Sequence, residues 1–176
     1  LKELNQEITV LDTHTLLEKL EDKVRKIFEV DGVNVRTFRG QNSAVLTEDR
    51  PPEAEGRSFS RRSRWIREHR KPLMIPDLTR ESSAFGKTRE ADAGMRAYLG
   101  VPIFSKTGEV IGILKVSSKQ ARRFRPAEID QLQQLADGLA AIFENARLLE
   151  ETRRRAQEQA ALNAIEAKQA KAAAPQ

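Results

Sequence analysis

The C-terminal third of the chain carries a hydrophobic repeat that constrains the fold more than any other feature. Between Pro126 and about Lys171, apolar residues recur at alternating steps of three and four, the spacing of heptad a and d positions. The repeat comprises Leu132, Leu135, Leu139, Ile142, Ala146 and Leu149. Pro126 suits the first helical position, where its missing N–H costs nothing. The pattern predicts one helix of roughly 46 residues, about 70 Å long, which is more than a small domain needs.

Beyond Leu149 the predicted helix changes character. Residues 150–171 are rich in Arg, Glu, Gln and Ala, so this part would fray alone in water. Two interpretations stay open, a solvated helix that ends the chain and a linker to a downstream module. A second seam with heptad spacing is predicted at the other end by Leu1, Leu4, Ile8 and Leu11. The domain prediction is therefore an N-terminal helical segment over 1–11, a compact domain over 12–149 and an exit helix or linker over 150–176.

Between the two seams, the sequence alternates between helical and strand patterns. Asp12 and Thr13 are predicted caps for an amphipathic helix that closes at Asp31–Gly32, and Phe59–Arg70 is a second helix. Short runs with strand character lie at 33–38, 44–47, 73–75, 98–104 and 109–117. Turn residues at 40–43 and 105–108 predict two hairpins. This order predicts an α+β fold, with a central, mostly antiparallel sheet of five to six strands flanked by helices.

The absence of cysteine excludes several kinds of chemistry. Without a thiol, the chain has no disulfide, no Cys-ligated zinc, no Fe–S cluster and no thiol nucleophile. No apolar run approaches the ~20 residues that cross a bilayer, and no signal-peptide pattern is present. We expect a cytoplasmic segment that does not itself contact the membrane. Because the sequence begins with Leu1 rather than Met, we also expect a longer parent chain, which could be membrane-anchored.

One basic cluster stands out against a mild net charge of +5. It surrounds Trp65 and consists of Arg57, Arg61, Arg62, Arg64, Arg67, Arg70 and Lys71. Such a cluster can face nucleic-acid phosphates. Aromatic residues are sparse within it, so a solvated helix face is the preferred interpretation and a nucleic-acid-binding module is the alternative.

Each candidate catalytic or metal-binding motif lacks residues that its chemistry requires. Gly86–Thr88 matches the end of a P-loop, but Glu81 stands where that loop requires glycine. His14 and His69 are far apart and lack neighbours at metal-ligand spacing. Paired acids occur at Glu90 and Asp92 and at Glu53 and Glu55, but the sequence shows no nucleophile, base and oxyanion donor that would converge near them. The sequence therefore predicts no catalytic residues and no metal site, and we do not expect this segment to be an enzyme.

Five stretches, in this order along the chain, resemble the GAF domain family. They are the helix at 12–32, KPLMIPDL at 71–78, GMRAYLGVPI at 94–103, GEVIGIL at 108–114, and the helix from Phe124 that reaches ENARL at 144–148. The resemblance covers essentially the whole chain. It implies a GAF/PAS-like sensory or dimerisation module, common in bacterial signalling proteins such as the sensor histidine kinases of two-component systems. It also implies a ligand pocket on one side of the sheet and flanking helices that form the stalk of a homodimer.

The residues that this sheet layout makes candidates for the pocket lining are Arg36, Phe38, Trp65, Phe85, Met95, Arg96 and Tyr98. For the apolar members, ordinary core packing is the first interpretation. Arg96 has two interpretations, an anchor that ties the long loop at 79–96 to the sheet and a ligand contact. The predicted dimer seam comprises Leu4, Ile8, Leu132, Leu135, Leu139, Ile142, Ala146 and Leu149.

The residues that particular GAF subfamilies require exclude some ligands for this chain, but they do not identify one. Lacking cysteine, the chain cannot be of the free methionine sulfoxide reductase type or carry a covalent bilin. The cyclic-nucleotide signature Asn-Lys-Phe-Asp-Glu is not matched, because Arg89 stands where an acid is required. We therefore expect an unidentified small molecule or none, and a downstream output domain as partner. The functional hypotheses are a sensory module that passes signals on, a ligand-independent dimerisation scaffold and the nucleic-acid binder.

Overall fold

The centre of the fold is an antiparallel sheet, seen in a computed structural model that describes residues 2–38, 60–80, 85 and 94–173. The described elements are α1 (Lys2–Phe28), β1 (Gly32–Thr37), α2 (Arg61–His69), β2 (Leu73–Ile75), β3 (Ala97–Phe104), β4 (Val110–Ser118) and α3 (Pro126–Ala173). Residues are grouped in two units, Leu1–Ala140 with the sheet and Ala141–Gln176 with the rest of α3. The domain boundaries at 11/12 and 149/150 stay predictions.

The four described strands are ordered β1-β4-β3-β2 and every neighbouring pair is antiparallel. Val35 pairs with Leu114, Leu99 with Val116, and Tyr98 with both Ser117 and Ile75. The turn at 105–108 closes the β3–β4 hairpin, with Gly108 at a φ of 79° and its N–H bonded to the Ser105 carbonyl at 2.9 Å. The α+β class, the antiparallel sheet and the long C-terminal helix are confirmed. The predicted strand at 44–47 lies outside the described residues, so the described sheet has four strands rather than five to six.

One face of the sheet, called here the helix face, is covered by α1 and the first part of α3. Its strand residues are Val33, Val35, Leu99, Val101, Ile103, Leu114 and Val116, all buried. They share this face because side chains alternate along paired strands. The covering side chains are Leu17, Val24 and Phe28 from α1, and Leu132, Ala136 and Leu139 from α3. The Gln133 side-chain amide donates to the Pro102 carbonyl at 2.9 Å and ties α3 to β3.

The burial of Leu132 and Leu139 corrects their assignment to a dimer seam. They are 0% and 2% exposed in the single chain, because the domain's own core occupies them. A heptad repeat marks a buried helix stripe, but the repeat itself does not tell an intramolecular contact from an intermolecular one. Leu149, by contrast, is 57% exposed. If a second copy packs on α3, it must therefore contact residues other than Leu132 and Leu139, either on another side of the helix or nearer its C-terminal end.

Helix α1 runs without interruption through Asp12 and Thr13, so the predicted caps and helix start at these residues are wrong. Cap preference is a weak prior when both flanks continue the helix. The predicted close at Asp31–Gly32 is also wrong, because Glu29 already adopts the left-handed conformation with φ of 51°. The Val30 N–H bonds to the Arg25 carbonyl at 3.2 Å, and Val30 is buried. This is a Schellman motif in which Glu29 takes the position that glycine usually occupies. Because the helix ends there, Asp31 lies outside it and contacts β4.

Candidate functional site

The second face of the sheet, called here the tyrosine face, carries an apolar cluster beneath α2. Its buried members are Ile66, Ile75, Leu78, Tyr98 and Ile113. Phe38, Trp65, Leu73, Phe85 and Met95 pack against them and are partly buried. The structure thus brings together five of the seven predicted pocket residues. Partly buried aromatic rings over a sheet face are the usual lining of a small-molecule site.

Helix α2 places a buried arginine on this cluster. Arg62 is 2% exposed, and its guanidinium carbon lies 4.3 Å from the centroid of the Tyr98 ring, a cation–π contact. Ser60 caps the helix by accepting from the Ser63 N–H at 3.2 Å. Arg62 and Ile66 are one helical turn apart and therefore share the inner side. The tyrosine face thus includes a buried positive charge.

Sequence reasoning missed this role of Arg62 and placed it in a solvated patch. The signal that could have revealed it is the spacing of four residues to Ile66, which marks one helix face. The other described members of the basic cluster differ in their exposure and contacts. Arg61 and Arg64 are exposed, while Arg67 and Arg70 lie 5.3 and 5.7 Å from the centroids of the Phe38 and Phe104 rings. Arg57 lies outside the described residues.

Two more basic residues share the tyrosine face. Arg36 in β1 pairs with Ile113, and Lys115 in β4 pairs with Asn34 and Gly100. By strand alternation, Arg36 and Lys115 are on the side of Tyr98 and not on the helix face. Both are partly buried. Together with Arg62 they place three basic side chains on this face of the sheet.

The packing around Tyr98 leaves little space at Gly100. A Cβ placed on Gly100 would lie 2.5 Å from the Tyr98 hydroxyl oxygen and 2.7 Å from Ile66 Cδ1. Real Cβ atoms do not approach so closely, and both neighbours are buried. Gly100 therefore lets the Tyr98 ring lie along the strand surface between β3 and α2.

Arg96 anchors the end of β2 to the start of β3. Its Nη2 donates to Asp77 Oδ2 at 2.6 Å and its Nε to Oδ1 at 3.4 Å. Thr79 Oγ1 also donates to Oδ1, at 2.7 Å. The hydrogen bonds from Arg96 and Thr79 lower the pKa of Asp77 from 3.8 to about 2. Asp77 engages the Arg96 guanidinium, as expected of an anchor, and a ligand contact by Arg96 stays a prediction.

This anchor predicts a specific dependence of stability on pH. The pKa of Asp77 is lower in the folded chain than the ordinary value of 3.8, so the unfolded chain binds the proton first. The contribution of the ion pair is complete above about pH 5 and is lost progressively as pH falls through 2. We expect Asp77→Asn to show a shallower loss of thermal stability between pH 4 and 2 than the wild type. Arg96→Gln should flatten the same part of the curve, and a wild-type slope in both variants would contradict the assignment.

The exposed surface of α3 beyond residue 140 is partly apolar. Leu148, Leu149, Leu162 and Ile165 are about half exposed. Pairs one turn apart, Arg147 with Glu144 and Arg155 with Glu151, lie at 3.3 and 2.7 Å and support the helix weakly. Continued from Leu149 at the same steps of three and four, the repeat would reach positions 160 and 163, so Leu162 and Ile165 do not follow it. The bulky apolar surface of this segment is therefore in two places, around Leu149 and around Leu162.

The described residues hold neither a metal-site cluster nor a membrane-spanning helix. No group of three or more His, Cys, Asp or Glu side chains with the arrangement of a metal site occurs among them. No helix in the described ranges is both long and apolar enough to span a membrane. His69 is exposed and stacks on Trp65, with ring centroids 4.2 Å apart.

Comparison with known families decides the identity of the fold. The family model for the GAF domain matches residues 12–143. The chain belongs to the GAF domain family. The matched range contains the whole described sheet, α2 and the part of α3 that covers the helix face.

Solved structures agree on the fold. A type II free methionine-R-sulfoxide reductase from Thermoplasma acidophilum matches with a TM-score of 0.62 and 12% identity, over 76% of this chain and 94% of that chain. The GAF domain of an Acinetobacter phosphoenolpyruvate-protein phosphotransferase gives 0.60 and 17%, over 79% and 86%. A domain assigned to a two-component sensor histidine kinase protein from Sinorhizobium meliloti 1021 gives 0.55 and 21%, over 80% and 96%. No curated protein matches this GAF domain.

Proposed function

We propose that this GAF domain is the sensory input module of a bacterial signal-transduction protein, a sensor histidine kinase, and that it regulates an output module beyond α3. The observation that carries the proposal is the combination of an aromatic face around Tyr98 that holds basic side chains with a long C-terminal helix. The first feature suits ligand capture, and the second suits transmission to a following module. The likeness to a domain from a Sinorhizobium meliloti sensor kinase supports the kinase context.

The ligand that suits the tyrosine face is a small acid. Arg62 is buried against an aromatic ring, and Arg36 and Lys115 add positive charge on the same side of the sheet. A guanidinium fork pairs with the two oxygens of a carboxylate or phosphate, and the partly buried Phe38, Trp65 and Met95 offer apolar contact to the rest of the molecule. A neutral analogue of the same shape lacks the negative charge that such a pairing with a guanidinium uses.

Binding can be followed through the single tryptophan of the chain, Trp65, which packs on this cluster. We expect small mono- and dicarboxylates or phosphate esters to change Trp65 fluorescence and to raise the melting temperature, as any native-state ligand must. Their neutral amides should not. Arg62→Lys should weaken binding about tenfold by losing the planar fork, whereas Arg64→Lys, on the exposed side of the same helix, should not. Neutral compounds that bind as well as acids would contradict this ligand class.

The proposed module is a homodimer whose copies meet along α3. Leu148 and Leu149 are 48% and 57% exposed on one helix, and a pair of such helices would cover them. Sedimentation equilibrium of the wild type should show a dimer. Leu149→Glu should weaken the dimer about tenfold or more, because a charge would enter the seam. Gln157→Glu adds the same charge at an exposed position off the seam and is the control. A monomer at high protein concentration would contradict the dimer.

The second candidate is a ligand-independent dimerisation scaffold. One observation favours it, the close packing of Tyr98 and Ile66 over Gly100, which fills the centre of the tyrosine face. In that case no acid or neutral compound would raise the melting temperature, and the Leu149→Glu result would be unchanged. The thermal-shift series therefore separates the scaffold from the sensor without knowledge of the output module.

A further inference from the structure

Arg122 lies between the end of α1 and the start of α3 and bonds to both. Its Nη1 donates to the carbonyl oxygens of Phe28 at 2.8 Å and Glu29 at 3.4 Å. Its Nη2 donates to Glu128 Oε1 at 2.6 Å. One guanidinium thus joins the last residues of one helix to the first turn of the other, across more than ninety positions of sequence.

The positive charge of Arg122 and the negative charge of Glu128 are each favourable at the helix end where they lie. The last carbonyls of α1 have no partner within the helix and form its negative end, where a cation is favourable. Glu128 is in the first turn of α3, the positive end, where an anion is favourable. Glu128 Oε2 also accepts from the Arg125 N–H at 2.7 Å, as in a capping box. Burial raises the pKa of Glu128, but the Arg125 N–H and the charges of Arg122 and Arg125 outweigh it, so the pKa is lowered.

The backbone that carries Arg122 is held by the sheet. The Arg122 N–H donates to the Pro76 carbonyl at 3.1 Å, directly before the Asp77 anchor. The guanidinium carbon lies 4.5 Å from the centroid of the buried Phe124 ring. Nearby, the Lys119 N–H donates to Asp31 Oδ2 at 2.7 Å, which ties the end of β4 to the turn after α1. The side chain of Arg122 is therefore fixed in position and not a mobile surface group.

We propose that Arg122 is a positioning residue that couples the C-terminal end of α1 to the N-terminal end of α3, so that loosening or displacement of one helix end is passed to the other. Its meaning for signalling rests on the proposed function as an input module, but the coupling itself does not require a ligand or a dimer. The planar guanidinium is essential, since it reaches the α1 carbonyls with one nitrogen and Glu128 with another. A lysine ammonium in the same place keeps the charge but has a single nitrogen for both helix ends.

The test uses hydrogen exchange of the whole chain, read at both helix ends. Lys26→Gly, at an exposed position in the last turn of α1, should increase exchange in that turn about fivefold, the factor that corresponds to the helix propensity of glycine. With Arg122 present, we expect the amides of residues 129–132 in α3 to exchange faster as well. In the Arg122→Lys background the α1 increase should persist and the α3 increase should disappear. In the Arg123→Lys background, which changes an exposed neighbour, both increases should remain.

An α3 response to Lys26→Gly that survives Arg122→Lys would overturn the proposal, as would the absence of any α3 response in the Arg122 chain. If Arg122→Lys fails to fold, Glu128→Gln provides the second variant, because it keeps an acceptor for the Arg125 N–H and removes the charge partner of Arg122. It should also abolish the α3 response while the α1 response remains. Failure of the ligand or dimer experiments leaves these readouts unaffected, so the two proposals fail separately.

Discussion

Leu132→Ala should lower the free energy of unfolding by about 3 kcal/mol, within the usual range for a buried leucine cut to alanine. Leu132 is 0% exposed and lies with Ala136 and Leu139 in the core of the first unit. The substitution removes apolar contacts and leaves a cavity that the rigid sheet face can fill only in part. Urea unfolding followed by circular dichroism gives the difference, since a change in midpoint at constant slope is a change in stability.

The matched control is Leu148→Ala on the same helix. Leu148 is 48% exposed, so the same chemical change should alter stability by less than about 0.5 kcal/mol. The comparison is made at low protein concentration, where any association through α3 contributes little. A larger loss at Leu148 than at Leu132 would contradict the placement of Leu132 in the core and of Leu148 on the surface.

This contrast shows what a hydrophobic repeat can and cannot predict. The spacing predicted a single helix from Pro126 to about Lys171, and α3 extends from Pro126 to Ala173. The repeat could not distinguish Leu132, which packs in its own domain, from Leu149, which is exposed, because both satisfy the same period. That distinction depends on where the helix leaves the sheet, a tertiary property absent from local sequence.

The strands were predictable because their signals are local. Alternation over 33–38, the apolar run at 98–104 and the Gly108 turn each specify a strand or a hairpin without reference to the rest of the chain. The close of α1 was not predictable in this way. It occurs at Glu29, a residue with no preference for the left-handed conformation. The burial of Val30, together with the contacts that Asp31 and Arg122 make at this end of the sheet, outweighs the conformational cost of a left-handed Glu29.

The clustering of the apolar candidate residues was predictable. Phe38, Trp65, Phe85, Met95 and Tyr98 share one cluster, as expected from family resemblance and strand register. The positions of the charged residues were harder to predict. An arginine in a basic helix is expected to be solvated unless the surface that it packs against is known. Arg62 is buried by Tyr98 from a strand 36 positions further along the chain. The four-residue spacing to Ile66 indicates the inner side of α2, but the contact with Tyr98 depends on how α2 packs against β3.

Gly100→Ala should destabilise the domain by about 2 kcal/mol, as expected when a methyl group is forced into a filled core. The added Cβ would lie 2.5 Å from the Tyr98 hydroxyl oxygen and 2.7 Å from Ile66 Cδ1. Neither side chain can swing into solvent, because both are buried. Relief requires a shift of α2 away from β3 or a new rotamer of Tyr98, and either change also moves the ring that contacts Arg62.

Gly138→Ala is the opposite case with the same chemical change. Gly138 is exposed within α3, and an added Cβ there would meet nothing within 4 Å. Alanine should therefore stabilise the domain by about 0.5 to 1 kcal/mol through its better helix propensity. Denaturant midpoints of the two variants should move in opposite directions from the wild type. A neutral or stabilising Gly100→Ala would show that space exists between Tyr98 and Ile66, and the tyrosine face would then be an open cavity even without ligand.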